Sequence, residues 1–293
     1  MNPILSPVSQ SAVTAFRALH ESGCFILPNP WDAGSAAYLH HLGFKALATT
    51  SAGAAFSEAR SDDIPALPLA KMLAHFDVIV RATPLPVNAD FQAGYADEPE
   101  GVAANVTRCL ETGVAGLSIE DNTGREAAPL YERALAIERI KAARSAIDAS
   151  GVPAVLTGRC EAWLVGEPQP LRTALDRLVA YAEAGADCLY APGVRDPGEI
   201  AQIVRAVAPR PVNVLVSRPG LSLAQLSDLG VRRISVGSAL ALVAWGAFTR
   251  AARGIAQSGT FDSLGEAIPY SEINDLFRRR SEPDETTRGG IVL

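Results

Sequence analysis

Residues 99–121, PEGVAANVTRCLETGVAGLSIED, contain one complete helix-to-strand unit. A helical pattern runs from Pro99 to Thr112 and stops at Gly113, as expected because glycine is favoured just beyond the last turn of a helix. The apolar run Val114–Glu120 follows and ends on an acidic residue. Short, almost continuous apolar runs are typical of strands that are buried on both faces of a parallel sheet. This stretch therefore predicts one unit of an α/β fold with a parallel sheet.

Eight such apolar runs recur along the chain. They are Cys24–Pro28, Lys45–Thr50, Pro86–Asp90, Val114–Glu120, Ala154–Arg159, Asp187–Ala191, Pro211–Val216 and Arg232–Val236. Right-handed crossovers wind successive parallel strands in one direction, so eight units predict a closed (β/α)8 TIM barrel. An open doubly wound sheet is the alternative. That fold should carry a glycine-rich phosphate turn after an early strand, and the sequence has no such turn.

The organisation that we predict is a single domain over residues 1–293, with the barrel at about 20–257. An N-terminal amphipathic helix within residues 1–20 precedes the barrel, with Val13, Phe16 and Leu19 at helical spacing. A C-terminal helical tail, about 258–293, follows it; this tail holds a short helix at Ser271–Arg279 and is expected to be loose from residue 281. The last barrel helix, 238–252, is rich in Ala, Val and Trp and indicates contacts between subunits.

Composition limits the classes of function. The 293 residues include 26 Lys plus Arg and 32 Asp plus Glu, a net charge of −6, without a basic run that would favour nucleic acid or an anionic membrane. Four scattered cysteines, no secretory leader and no long apolar segment predict a cytoplasmic protein with a small-molecule partner. All four histidines fall in predicted helices, so we expect any metal to be held by oxygen ligands rather than by a histidine-rich zinc site.

Polar residues close several of the predicted strands, where the active site of a TIM barrel forms. Asp90 and Glu120 end neighbouring strands, and a pair of carboxylates suits Mg²⁺ or Mn²⁺, which keeps several waters when bound. Arg159 ends the next strand and has a planar guanidinium that matches a substrate carboxylate. Thr50 and Ser51 follow strand two and offer hydroxyl and backbone N–H donors to a carboxylate or a developing enolate oxygen.

These residues also have structural interpretations. Asp90 could cap a helix or pair with a nearby arginine. Arg159 could be a member of a structural ion pair with Glu161 or Glu120. Cys160 is interpreted as a buried small apolar residue rather than an activated thiolate. Helix capping is the interpretation that we favour for two further acids, Asp32 and Asp121.

From about residue 20 to 250 the chain resembles the isocitrate lyase and phosphoenolpyruvate mutase superfamily. The matching segments are Asn29–Ala36, Ala48–Ala52, Pro86–Asp90, Gly94–Tyr95, Gly116–Asp121, Arg159–Ala162, Ala184–Asp187, Pro211–Leu215 and Leu229–Gly237. The resemblance implies a barrel enzyme that binds Mg²⁺ and a 2-oxo acid or its enolate. It also implies that a carbon–carbon or carbon–phosphorus bond next to that enolate is made or broken.

The resemblance also implies roles for individual residues. Asp90 would meet the metal directly or through water, Glu120 would support it through water, and Asn88 stands where many members have a further metal-side Asp. Asp62 corresponds to an acid on the mobile loop after strand two, and Asp63 is an alternative because the spacing is ambiguous by one. The implied catalytic residues are Asp62, Arg159 and Glu120. The implied substrate contacts are Trp31, Thr50, Ser51, Ala52, Arg159 and Asn213.

Two departures from the superfamily pattern affect the predicted function. Neutral Asn88 and Gln92 replace acids near the metal and predict weaker metal binding. Members that cleave isocitrate or 2-methylisocitrate carry a Lys-(Lys/Arg)-Cys-Gly-His loop after strand four, whereas residues 121–129 contain neither Cys nor His. The proton donor of that reaction is therefore missing from this loop.

The leading prediction is a Mg²⁺-dependent decarboxylase or lyase that breaks a carbon–carbon bond of an oxaloacetate-like 2-oxo acid through an enolpyruvate. The alternatives are a phosphonopyruvate hydrolase or phosphoenolpyruvate mutase, a 2-methylisocitrate lyase-like enzyme, and a barrel that binds a dicarboxylate without catalysis. The resemblance further implies a homo-oligomer, a dimer or tetramer, in which C-terminal helices pack on a neighbouring subunit.

Overall fold

The structure, a computed structural model, describes residues 7–281. Its strands are β1 (Phe25–Leu27), β2 (Leu47–Ala48), β3 (Val87–Asp90), β4 (Gly116–Glu120), β5 (Val155–Arg159), β6 (Cys188–Tyr190), β7 (Val212–Leu215) and β8 (Arg233–Ser235). Its α-helices are α1 (Pro7–Leu19), α2 (Ala33–His41), α3 (Ser51–Ser57), α4 (Leu69–Arg81), α5 (Pro99–Leu110), α6 (Arg133–Ser150), α7 (Pro170–Glu183), α8 (Pro197–Val207), α9 (Leu223–Asp228), α10 (Ala239–Ser258) and α11 (Tyr270–Ser281). None of these helices is long and apolar enough to cross a membrane.

The eight strands form a nearly closed parallel barrel. Their order in the sheet is β1-β8-β7-β6-β5-β4-β3-β2, and every pair in this order is parallel. Between β1 and β2 the Ala48 amide donates to the Pro28 carbonyl at 3.0 Å, which joins the two ends of the sheet. The predicted (β/α)8 TIM barrel is confirmed, and each observed strand lies inside the apolar run that predicted it.

The ends of the helices follow the local sequence signals. Asp32 caps α2, where its carboxylate accepts from the Ser35 amide at 2.6 Å, so the predicted capping role is confirmed. Gly113 follows α5 with φ of +85°, a left-handed conformation that glycine adopts without steric cost. Helix α5 ends at Leu110, two residues before the predicted end at Thr112, because the chain already turns toward β4.

Helix α1 packs across the N-terminal ends of the barrel strands. Val13 and Phe16 on its inner face have no exposed surface and join a core cluster with side chains of β1, β2 and β5. Phe16 lies so close to Gly116 in β4 that a Cβ at this glycine would be 2.9 Å from the phenyl ring. The amphipathic helix that Val13 and Phe16 predict is therefore present, and His20 follows its last residue. Residues 1–6 of the predicted helical segment lie outside the described residues.

The described chain divides into two compact units, with the boundary between residues 242 and 243. The second unit contains most of α10, a 3₁₀-helix (Asp262–Glu266) and α11, which includes the helix predicted at Ser271–Arg279. Several large apolar side chains in this unit are exposed, among them Val243 and Phe248. The single-domain organisation stays a prediction, and the segment from 282, expected to be loose, lies outside the described residues.

Candidate active site

A cavity of about 190 Å³ opens at the C-terminal ends of the barrel strands, and all eight strands contribute residues to it. Pockets for drug-sized ligands measure roughly 300–1,000 Å³, so this cavity suits a smaller molecule. The predicted site residues that line it are Thr50, Ser51, Ala52, Asp62, Asn88, Asp90, Arg159 and Asn213. Two predicted site residues, Glu120 and Trp31, are not among the lining residues.

Arg159 lies at the centre of a cluster of carboxylates. Its Nη1 is 3.2 Å from Asp90 Oδ1 and 3.0 Å from Glu120 Oε2. Its Nε donates to Glu161. The two acids predicted to share a cation thus converge on one guanidinium nitrogen, and the ion-pair alternative for Arg159 is also realised. Among the described residues Nη2 makes no hydrogen bond to the protein, so this nitrogen can donate to a ligand.

The charges in this cluster do not balance, because three carboxylates surround one guanidinium. Burial raises the pKa of Glu120, the positive charge of Arg159 opposes this rise, and the negative charges of Glu161 and Asp90 add to it. Burial likewise raises the pKa of Glu161. A divalent cation would relieve this surplus of negative charge, and carboxylate oxygens are ligands that Mg²⁺ prefers. Within residues 7–281, however, no three His, Cys, Asp or Glu side chains converge as a complete ligand set, so such an ion would keep several waters.

The turn after β2 connects two of the acids. Thr50 caps α3, and its hydroxyl accepts from the Gly53 amide at 3.2 Å. The Ser51 amide donates to Asp90 Oδ2 at 2.9 Å. The Ser51 side chain also acts on Asp62, whose pKa it lowers. Ser51 therefore links the strand-end acid to the acid on the following loop.

Asp62 belongs to the loop between α3 and α4 and lines the cavity, whereas Asp63 does not. Asp63 instead accepts a hydrogen bond from the Ser61 hydroxyl. Asp62 is an exposed residue, yet the protein around its carboxyl raises its pKa, and the negative charge of Asp90 raises it further. The Ser51 side chain acts in the opposite direction. Of the two acids that the sequence left open, Asp62 is the one at the cavity.

Gln92 has a different place from the one that the sequence suggested. It does not line the cavity beside the metal-side residues but is buried, with 3% of its surface exposed. Its Nε2 donates to the Asp63 carbonyl at 3.1 Å, and its Oε1 accepts from the Ala66 amide at 3.0 Å. The side chain thus anchors the backbone of the loop that carries Asp62.

Asp121 does not cap a helix, so that interpretation is wrong. It is buried and accepts from the Glu161 amide at 2.8 Å, the Tyr181 hydroxyl at 2.7 Å and Arg177 at 3.1 Å. Asp121 thus joins α7, which carries Arg177 and Tyr181, to the residue pair after β5, where it positions the Glu161 backbone. Cys160 has no exposed surface, and burial raises the pKa of its thiol, which confirms the interpretation as an inert buried residue.

Among residues 7–281, the side chains that line the cavity include neither a thiol nor an imidazole. Its titratable side chains, among the residues that the structure describes, are Asp62, Asp90, Arg159, Tyr190 and Arg233. Burial raises the pKa of Tyr190 to about 12, so this hydroxyl stays protonated at neutral pH. The loop after β4 is closed on itself, since the Thr123 amide donates to the Pro129 carbonyl at 2.9 Å. The missing Cys and His of this loop are thus not replaced by equivalents from elsewhere in the described barrel.

Arg233 is a lining residue that the sequence interpretation missed. It lies in β8 and reaches the cavity from inside the barrel, with 2% of its surface exposed. The signal was the alternation in Arg233-Ile234-Ser235, because residues two apart in a strand face the same side. Arg233 and Ser235 both line the cavity, so they share the interior face of β8.

Comparison with known proteins identifies relatives over most of the chain. The family model for phosphoenolpyruvate phosphomutase matches residues 16–256. A solved structure from Burkholderia cenocepacia J2315, provisionally described as a lyase/mutase, is 48% identical, has a TM-score of 0.89, and covers 92% of this chain and 98% of its own.

Two curated relatives are also similar in sequence. An uncharacterized protein of Mycobacterium tuberculosis (strain ATCC 25618 / H37Rv) is 34% identical over 263 residues, 88% of this chain and 94% of that protein. An oxaloacetate decarboxylase of Pseudomonas savastanoi pv. phaseolicola (strain 1448A / Race 6) is 30% identical over 230 residues, 74% of this chain and 75% of that protein.

Proposed function

Because the chain belongs to the phosphoenolpyruvate mutase family, we propose that it cleaves a carbon–carbon bond of a small oxaloacetate-like 2-oxo acid and releases CO₂ and an enolpyruvate. The observation that carries this proposal is a small cavity lined by acids and arginines, to which the described part of the chain contributes no thiol and no imidazole. Decarboxylation needs no general acid at the departing CO₂, whereas cleavage to an aldehyde or a second acid needs a proton donor or acceptor at the leaving fragment. The similarity to an oxaloacetate decarboxylase supports the same choice.

Mg²⁺ or Mn²⁺ is the cofactor that we propose. Asp90 would hold it, with Glu120 supporting it through water and Asn88 beside Asp90 on the same face of β3. The Asn88 Oδ1 is buried and has no hydrogen-bond partner among the described residues, so an oxygen donor is available there. When bound, the ion would supply Lewis-acid stabilisation of the negative charge that develops on the enolate.

The protein residues would bind and orient the substrate. Arg159 would donate from its unpaired Nη2 to a substrate carboxylate, while the acids on its other nitrogens fix the plane of the guanidinium. Ser51 and Ala52, in the first turn of α3, would supply hydroxyl and backbone N–H donors. The electron pair of the breaking carbon–carbon bond moves into the enolate as CO₂ leaves, and the enolpyruvate then takes a proton from water at carbon to give pyruvate.

Carbon–phosphorus chemistry is the second candidate, because Asp62 lines the cavity and the family model is that of a phosphomutase. In a phosphonopyruvate hydrolase or phosphoenolpyruvate mutase, Asp62 would lie near the transferring group. Asp62→Asn is then expected to abolish turnover of phosphonopyruvate. Simple decarboxylation would survive in part in the same variant, and Asp63→Asn is the matched control outside the cavity.

A substrate panel tests the proposal. Purified protein with Mg²⁺ would be assayed with oxaloacetate, phosphonopyruvate and 2-methylisocitrate, and we expect turnover of oxaloacetate. Turnover of phosphonopyruvate alone would establish the second candidate, and turnover of 2-methylisocitrate alone would overturn both. Tight binding of oxalate without turnover of any of the three acids would indicate a barrel that binds dicarboxylates without catalysis.

A further inference from the structure

Arg233 is a buried cation whose surroundings in the protein are neutral. Its Nε donates to Asn213 Oδ1 at 3.0 Å and its Nη2 donates to Thr157 Oγ1 at 2.9 Å. Its Nη1 lies 3.3 Å from Nε2 of His20. Every one of these partners is an uncharged acceptor, and no carboxylate pairs with Arg233 in residues 7–281, in contrast to Arg159.

His20 is held in its neutral form. The other ring nitrogen, Nδ1, is 2.8 Å from the Phe16 carbonyl, which can only accept, so Nδ1 carries the proton and Nε2 accepts from Arg233. Burial, together with the positive charge of Arg233, lowers the pKa of His20 to about 3. At neutral pH the uncharged imidazole therefore accepts a hydrogen bond from the guanidinium and leaves its charge uncompensated.

An uncompensated buried charge is costly, and buried charges in proteins are normally paired or bound to an ion. The interior of a TIM barrel is usually filled by branched apolar side chains. Here the interior under the mouth is polar, with Asn88, Ser118 and Arg233 all lining the cavity. Three of the five N–H groups of the guanidinium are used by Asn213, Thr157 and His20, which leaves one on each terminal nitrogen.

We propose that Arg233 is a second anion-binding residue of the cavity, which pairs with one carboxylate of a small dicarboxylate while Arg159 at the mouth binds the other. The identity of the ligand as a dicarboxylate rests on the proposed function. The anion site itself does not require turnover, since it follows from a buried, unpaired cation at the cavity. Two cationic anchors that line one small cavity favour acids with two charged groups over monocarboxylates.

Measurements of ligand binding distinguish an anion-binding role of Arg233 from a purely structural role. Malate has four carbons and two carboxylates but cannot lose CO₂ as a 2-oxo acid does, and lactate has only one carboxylate. In calorimetry with Mg²⁺, we expect the wild type to bind malate more tightly than lactate. Arg233→Met should weaken malate binding about ten- to hundredfold, the range for one charge-assisted hydrogen-bonded contact, and should change lactate binding much less.

Two further variants control the measurement. Arg233→Lys keeps the charge and should recover part of the affinity for malate. Arg232→Met removes the neighbouring arginine, which donates to the Gly23 carbonyl at the other end of the barrel, and should leave both affinities unchanged. Equal losses for malate and lactate in Arg233→Met, or no loss for either, would overturn the proposal.

A crystal structure of the wild type with malate gives a second test that needs no variant. We expect a carboxylate oxygen of malate within hydrogen-bond distance of a terminal nitrogen of Arg233. Two carboxylates at the mouth, with only water at Arg233, would contradict the proposal. Failure of the substrate panel to give turnover would not affect either of these binding measurements, so the two proposals can fail separately.

Discussion

At the scale of single residues, Arg159 determines the charge at the mouth of the cavity. Arg159→Met leaves Asp90, Glu120 and Glu161 without their shared partner, and removal of one member of a buried ion cluster costs about 3–5 kcal/mol. We expect the free energy of unfolding in urea to fall by about this amount at pH 7, and turnover to be lost. Arg159→Lys should restore part of the stability but little turnover, because an ammonium cannot hold three acids and a substrate in one plane. A stable Arg159→Met protein would contradict this account of the cluster.

His20 makes stability depend on pH. Its pKa is about 3 in the folded protein and about 6.5 in an unfolded chain, so the unfolded state binds more protons between these values. The His20 contribution to stability is therefore complete above about pH 6.5 and is lost as the pH falls toward 3. Between pH 7 and pH 5 the loss amounts to at most about 2 kcal/mol.

His20→Gln is the matched variant, since a glutamine amide can also donate to the Phe16 carbonyl and accept from Arg233. Urea unfolding of both proteins at pH 7 and pH 5 measures the difference. The wild type should lose more stability than the variant over this interval. Identical pH dependence in the two proteins would show that burial and Arg233 do not keep His20 neutral in the folded protein.

Many of the site residues are predictable individually from the sequence, because residues that end the strands of a TIM barrel lie at the rim where the active site forms. Asp90 and Arg159 follow from this rule alone. Arg233 and Gln92 do not, since their roles depend on which way a side chain points inside the barrel and on the path of a loop. The interaction of Arg159 with three acids at once also requires distances that spacing along the chain does not provide.

At the scale of elements, the loop between α3 and α4 depends on one buried side chain. Gln92→Glu keeps an acceptor for the Ala66 amide but removes the donor to the Asp63 carbonyl and places a carboxylate against it. A buried polar group that is left without a partner in this way lowers the free energy of unfolding by about 1–3 kcal/mol. We expect faster amide hydrogen exchange in residues 59–66 and lower turnover. Gln202→Glu, whose exposed side chain also donates to a backbone carbonyl, is the control and should change neither. Unaltered exchange in the loop of Gln92→Glu would be evidence against the anchor.

The barrel elements were predictable because local signals agree with the global fold. Gly113 ends a helix and the apolar run Val114–Glu120 encloses β4, so helix stop and strand start coincide. Asp121 shows where such signals fail. An aspartate can cap a helix or, as Asp121 does, accept a hydrogen bond from the Glu161 amide just after β5. Only the path of the chain after β4 decides between these two roles.

At the scale of the whole molecule, we predict a homo-oligomer formed through the C-terminal unit. Val243 is 70% exposed, and Phe248, Phe261 and Tyr270 of the same unit are also exposed. Exposed apolar side chains that cluster in one region mark interaction sites. Val243→Lys should shift the sedimentation coefficient at micromolar concentration toward that of a monomer. Val78→Lys on α4, an exposed valine of the barrel unit, is the matched control and should sediment like the wild type. A wild type that already sediments as a monomer would refute assembly.

NMR observation of oxaloacetate mixed with the protein shows whether this cavity decarboxylates an oxaloacetate-like acid with a divalent cation held at Asp90. Mg²⁺ alone promotes slow loss of CO₂, so the protein-free mixture and Asp90→Asn are the controls. We expect pyruvate formation well above both controls, and its suppression by EDTA. Pyruvate formation no faster than in the protein-free mixture, or an undiminished rate in Asp90→Asn, would contradict this expectation.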